Sequence, residues 1–156
     1  MSRIEDDVQT GAEWIAQALH SSGYRADFSP ESLWHIDLFF DVYSRDGKPT
    51  RGGLLSKDLG TRIFALGAYV GEVLRRNLGG EWYGDDTDPQ AEINIELRLP
   101  TGAQCWPVQR VIKRFKNGSE DCIAAYGIGM GLDVGARPEV PRTPFSKRSW
   151  WKLWHQ

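Results

Sequence analysis

Residues 55–80 read LSKDLGTRIFALGAYVGEVLRRNLGG, and this stretch decides the fold. Leu55, Leu59, Ile63, Leu66, Val70 and Val73 recur every three or four residues, the spacing of one helical face. The pattern stops at Gly79-Gly80, a helix-ending signal. Gly60, Gly67 and Gly71 form a second stripe beside the apolar one. A glycine inside a helix costs about 1 kcal/mol relative to alanine, so three on one face predict that another backbone packs very close. The expectation is a long, central, largely buried helix.

Two helices are expected before it. Ile4, Val8, Ala12, Ile15 and Leu19 share a helical face that closes at Gly23. At Ser29-Pro30-Glu31-Ser32, Ser29 can cap a helix and Pro30 suits its first position. That helix carries Leu33, Ile36, Asp37 and Phe40 and stops near Asp46-Gly47, with an exposed loop from Lys48 to Gly53. After the central helix the period changes to two. Ile93, Ile95, Leu97 and Leu99 alternate with polar residues, predicting a half-buried strand closed by Pro100-Thr101-Gly102. Ala103 to Trp106 returns as its hairpin partner, and Glu81 to Tyr83 adds a short strand. From Pro107 a helix turns Val108, Val111, Ile112 and Phe115 inward and Gln109, Arg110, Lys113, Arg114 and Lys116 outward, ending at Asn117-Gly118. A last helix starts at Ser119 and contains Ile123, Tyr126 and Met130. The fold class is α+β. N-terminal helices and a long central helix pack on a small antiparallel sheet, followed by two C-terminal helices and an extended tail.

At 156 residues, the chain has room for one ordinary domain, placed at residues 1–135, with a Pro-containing, basic, Trp-rich tail at 136–156. Charged residues make up 26% and hydrophobic ones 40%, a globular balance rather than a disordered one. A net charge of −2 gives no global attraction to nucleic acid or an anionic membrane. The first 17 residues include Glu5, Asp6, Asp7 and Glu13, unlike a secretory signal, and no 18-residue apolar run is present. Cys105 and Cys122 lie 17 apart with no CxxC, so both read as reduced thiols. Together these predict a cytoplasmic protein.

The segment Ala68-Tyr69-Val70-Gly71-Glu72-Val73-Leu74-Arg75-Arg76, followed by Gly79-Gly80-Glu81-Trp82, resembles the signature of a family of small bacterial domains of unknown function. That signature is a helix reading A-Y-x-G-E-x-x-R-R and then G-G-x-W. A second matching block runs from Pro107 through Asn117-Gly118 to Glu120-Asp121. The two blocks cover some 40 residues, 64–83 and about 106–126. The resemblance implies little chemistry. It does imply a bacterial setting in which some similar small domains are immunity proteins beside secreted toxins.

No catalytic constellation is legible. His20, His35 and His155 lack metal-ligand spacing, and there is no HExxH, Walker loop or G-x-S-x-G. Gly127-Ile128-Gly129-Met130-Gly131 follows a helix rather than a strand, so it reads as packing or a helix end, not a phosphate loop. The basic face Arg110, Lys113, Arg114 and Lys116 reads as solvated. Glu72 stands three and four residues before Arg75 and Arg76, which predicts an intrahelical surface ion pair worth well under about 1 kcal/mol. If Glu72 instead points inward, it anchors a loop, or Tyr69, Glu72, Arg75, Arg76 and Trp82 line a ligand pocket.

Two features suggest a partner. Asp85, Asp86 and Asp88 form an acidic loop able to face a basic protein. Residues 137–156 carry five Lys/Arg against Glu139, and Trp150, Trp151 and Trp154 stand among those cations, either as anchors for a partner or folded back over an apolar groove of their own domain. The reading is a non-catalytic protein-binding domain without cofactor or metal, and the resemblance adds an immunity type with a toxin as partner. The other readings are a small-ligand domain or enzyme around Glu72 and Arg76, and a homo-oligomeric structural subunit that exchanges its tail tryptophans.

Overall fold

The periodicity of residues 59–78 folds into α3 (Leu59–Leu78), in which every residue from Ile63 to Leu74 is buried. A computed structural model describes residues 3–139 of the chain. Helix α1 (Arg3–Ser21) lies along α3 and buries Ile4, Val8, Ala12, Ile15 and Leu19 against it. On another side of α3 sits α5 (Pro107–Asn117), begun by its proline as the sequence predicts. Helix α2 (Ser32–Tyr43) packs on the short α6 (Ile123–Gly129) and fully buries Leu33, Ile36, Phe39 and Phe40. Each such side chain contributes roughly 1.5–3 kcal/mol relative to an exposed one.

Three strands complete the α+β fold. β3 (Glu81–Tyr83), β4 (Glu96–Arg98) and β5 (Gln104–Cys105) form an antiparallel sheet in that order. Their register aligns Trp82 with Leu97 and Leu97 with Cys105. All three are buried, so one row of the sheet faces the helices.

The glycine stripe works at two of its three positions. A Cβ on Gly67 would stand 2.6 Å from Val108 Cα, so α5 could not approach α3 as it does. A Cβ on Gly71 would stand 2.0 Å from Trp82 Cη2 and 3.0 Å from Pro107 Cγ. Gly60 faces open space, so the stripe marks a close approach over the middle of α3 only.

Other expectations shift by local chemistry. The alternating run does not begin as a strand: Ala91–Asn94 form the helical turn α4, leaving Ile93 exposed. Asp88 causes this, because its carboxylate accepts from Gln90 N at 2.8 Å and Asn94 Nδ2 at 2.9 Å. Only Ile95, Leu97 and Leu99 keep the buried alternation. Helix α2 starts at Ser32, not Pro30, with Ser32 N and Oγ both donating to Ser29 O rather than a Ser29 side-chain cap. Asp46 and Gly47, both at positive φ, turn a tight hairpin between β1 (Ser44–Arg45) and β2 (Lys48–Pro49) where a plain loop was expected. The last helix begins at Ile123, after a 3₁₀ turn over Gly118–Asp121. Arg114 points inward and is 2% exposed, against the expectation of a solvated face. Among the described residues no helix is long and apolar enough to cross a membrane.

Candidate functional site

Glu72 is the buried acid of α3, with a side chain wholly shielded from solvent. Four donors surround it. Oε1 accepts from Arg75 Nη2 at 2.9 Å and Arg76 Nε at 3.2 Å. Oε2 accepts from Arg75 Nε at 2.5 Å and Trp82 Nε1 at 2.9 Å. A carboxylate offers about four lone-pair directions, so these donors saturate it. Burial pushes the Glu72 carboxyl up, but hydrogen bonds from Arg75, Trp82 and Arg76 and the Arg75 charge outweigh it, and its pKa lies below the ordinary value. The surface ion pair expected from the spacing is therefore a buried one. Arg75 and Arg76 remain about one third exposed and carry the compensating charge to the surface.

The cluster continues through Arg76. Its guanidinium lies 3.7 Å from the Phe28 ring centroid, and Phe28 packs on Tyr69 with ring centroids 4.7 Å apart. Phe28 adopts φ 61°, a left-handed conformation rare for a non-glycine residue. Hydrogen bonds hold it there: Phe28 N donates to Tyr69 Oη at 3.1 Å, and Asn77 Nδ2 donates to Phe28 O at 2.9 Å. Tyr69 Oη in turn donates to Ser32 Oγ at 2.7 Å, at the start of α2. Burial raises the Tyr69 pKa, so the phenol stays a donor at neutral pH. The structure thus brings Tyr69, Glu72, Arg75, Arg76 and Trp82 into one chain of contacts. It ties the loop before α2 and the first strand of the sheet to α3.

A cleft of about 430 Å³ is lined by Glu5, Gln9, Arg75, Gly80, Glu81 and Trp82. Tyr69, Glu72 and Arg76 do not line it. No family model matches the chain, and no curated protein or solved structure does.

The acidic loop is built, not loose. Asp85 Oδ1 accepts from Thr87 N at 2.9 Å and Thr87 Oγ1 at 2.6 Å, closing an Asx turn. Asp86 accepts from Arg3 N at 3.0 Å and Ile4 N at 2.9 Å, capping the start of α1 from 82 residues away. Asp88 organises α4 as described above. Three carboxylates chosen for their charge prove to shape the loop as well. Trp150, Trp151 and Trp154 lie outside the described residues.

A second buried acid escaped the sequence reading. Asp37 Oδ1 accepts from Arg114 Nε at 2.9 Å and Ile123 N at 2.8 Å. Its Oδ2 accepts from Ala124 N at 2.9 Å and the Cys122 thiol at 3.1 Å. Arg114 Nη2 also donates to Asp37 O at 3.0 Å and Asp41 Oδ1 at 2.8 Å. Asp37 thus caps α6 while neutralising a buried arginine. Burial, with the Asp37 carboxylate nearby, raises the Cys122 thiol pKa, so this sulfur is not an activated nucleophile. The available sequence signal was an Asp on the apolar face of α2, between Ile36 and Phe40.

Proposed function

We propose that the chain is a non-catalytic protein-binding domain of the immunity type, which neutralises a bacterial toxin by direct contact in the cytoplasm. The observation carrying this reading is the acidic loop at Asp85, Asp86 and Asp88, the first two exposed and the third half-buried, held by six hydrogen bonds from Thr87, Arg3, Ile4, Gln90 and Asn94 to its carboxylates. Negative charge fixed on a preorganised loop costs little ordering entropy when a basic partner docks. Tyr83, 40% exposed, stands beside it as an aromatic contact. The saturated Glu72 supports the same reading, since its lone pairs are already spent on its own chain and its depressed pKa suits no proton abstraction near neutrality.

A second reading rests on the cleft beside Arg75 and Trp82, whose volume suits a small ligand. One experiment separates them. The tagged full-length chain is used to capture a partner from its native bacterial lysate, beside Asp85→Asn/Asp88→Asn, Arg75→Ala and a variant lacking residues 146–156. The binding reading expects one stoichiometric partner that is lost with the loop variant, retained with Arg75→Ala, and released by salt. No partner under any condition, together with a thermal shift on small-molecule screening that Arg75→Ala removes, overturns it in favour of the cleft. A partner lost only with the truncation moves the surface to the tail.

A further inference from the structure

A different face of the molecule, between α1 and α3, holds a groove of about 500 Å³. The two helices come together at Gly11, whose missing Cβ would lie 3.6 Å from Ala65 Cα, and this contact forms part of the floor. One wall is Trp14, 45% exposed although it is among the largest apolar side chains of the chain. Asp7, Asp58 and Glu92 also line it, beside Thr10, Thr61 and Phe64, and all three acids are exposed. Among the described residues none of these carboxylates makes a hydrogen bond or ion pair through its side chain, in contrast to Asp85, Asp86 and Asp88. The one cation in the wall is committed already: Arg62 donates to Leu54 O and lies 5.6 Å from the Trp14 ring centroid. The groove therefore presents a half-exposed indole, with Arg62 over its ring, beside three carboxylates.

The sequence contains its complement. Residues 140–156 hold four Lys/Arg, three tryptophans and Phe145, without Asp or Glu, which leaves the other 139 residues at −6. The described chain ends close to the body, where Trp34 Nε1 donates to Gly135 O at 3.2 Å and Arg137 stands 3.9 Å from Asp41. From Glu139 the 13 residues to Lys152 can span up to about 45 Å, against a breadth of about 40 Å for a domain of this size. Length allows the tail to reach the groove, and charge favours that destination over the basic face of α5. We propose that the groove between α1 and α3 is the docking site of this chain's own segment 140–156, with Trp14 contacting its aromatic residues and Asp7, Asp58 and Glu92 receiving its cations. This assignment does not depend on any partner, and it leaves the acidic loop as the partner-facing surface.

Zero-length carbodiimide coupling of the full-length chain tests it, because an amide forms only where a lysine amine touches a carboxylate. The expected result is coupling of Lys147 or Lys152 to Asp7, Asp58 or Glu92 in the monomer band, identified by peptide mass spectrometry. Two variants check it. Asp58→Asn/Glu92→Gln abolishes coupling at those positions, and Arg142→Glu/Arg148→Glu reduces coupling at Asp7 while leaving both lysines in place. In the latter variant the Trp14 indole N–H signal in the NMR spectrum also shifts. Coupling to Asp85, Asp88 or Asp41 instead, coupling confined to a dimer band, or an unmoved Trp14 signal overturns the proposal; the dimer-only result would assign the groove to the tail of a second copy.

Discussion

Glu72 and Asp37 are both buried carboxylates facing arginine, yet they are assembled in opposite ways. Every partner of Glu72 lies within ten residues of it: Arg75 and Arg76 on the same helix, Trp82 on the next strand. The partners of Asp37, apart from its own neighbour Asp41 on Arg114, arrive from 77 to 87 residues away. Glu72 also shares its charge with two arginines that reach water, whereas Asp37 and Arg114 are enclosed together. A local cluster can relax toward solvent when broken. A long-range one leaves its remnants stranded in the core.

The largest expected effect follows from that contrast. Asp37→Ala leaves Arg114 Nε and two α6 amides without an acceptor, with Arg114 still paired to Asp41, and removing one partner of a buried pair costs about 3–5 kcal/mol. Urea denaturation should show this as a lower midpoint, or as failure to fold. Asp37→Asn, which keeps an acceptor, should lose clearly less. Gly71→Ala comes next, because its Cβ collides with an indole that Glu72 holds in place, and overpacking of this kind costs about 1–3 kcal/mol. Glu72→Gln should lose a similar or smaller amount, about 1–3 kcal/mol, since the two arginines can turn to water and only Trp82 Nε1–H is affected inside. The double variant sharpens the comparison: freeing the indole should make Gly71→Ala cheaper in the Glu72→Gln background than in the parent. Additive losses would show that Glu72 does not fix Trp82. The smallest effect is expected from Asp86→Ala, about 1 kcal/mol through the lost cap on α1.

The same contrast explains what could be read from sequence. The central helix, the Pro107 helix, the three strands and the members of the Glu72 cluster are encoded by spacings of two to four residues, or by a short link from Gly79 to Trp82. Inward or outward placement of Glu72 was open, because Trp82 could supply its fourth donor only once β3 folded back on α3. Asp37 and Arg114 could not be paired from sequence, because nothing local relates positions 77 apart. Arg114 also stands next to Lys113 and Lys116 on a helix whose charges otherwise look solvated. Asp85, Asp86 and Asp88 were legible as charge but not as caps and turns, and Asp88 in particular converts an alternating strand pattern into α4. The groove between α1 and α3 was missed for a related reason, although Trp14 falls off the buried stripe of α1 and could have been noticed there.

pH probes the Glu72 cluster as well. Glu72 has a folded pKa below its ordinary value, so its contribution to stability is complete above the unfolded carboxyl range and is lost as pH falls toward the folded value. Relative to the parent, Glu72→Gln should therefore show a shallower loss of stability between neutral pH and about pH 3.

The claim beneath these readings is that Glu72 is a saturated structural carboxylate rather than a group held ready for chemistry. Carbon-detected NMR titration of its side-chain carboxyl in the full-length protein tests this directly. The account predicts an apparent pKa below the ordinary glutamate value of about 4.3, with the Trp82 indole N–H signal moving in the same titration step. A value at or above the ordinary one, with the indole signal unmoved, would contradict it and return Glu72 to the list of candidate acid–base groups.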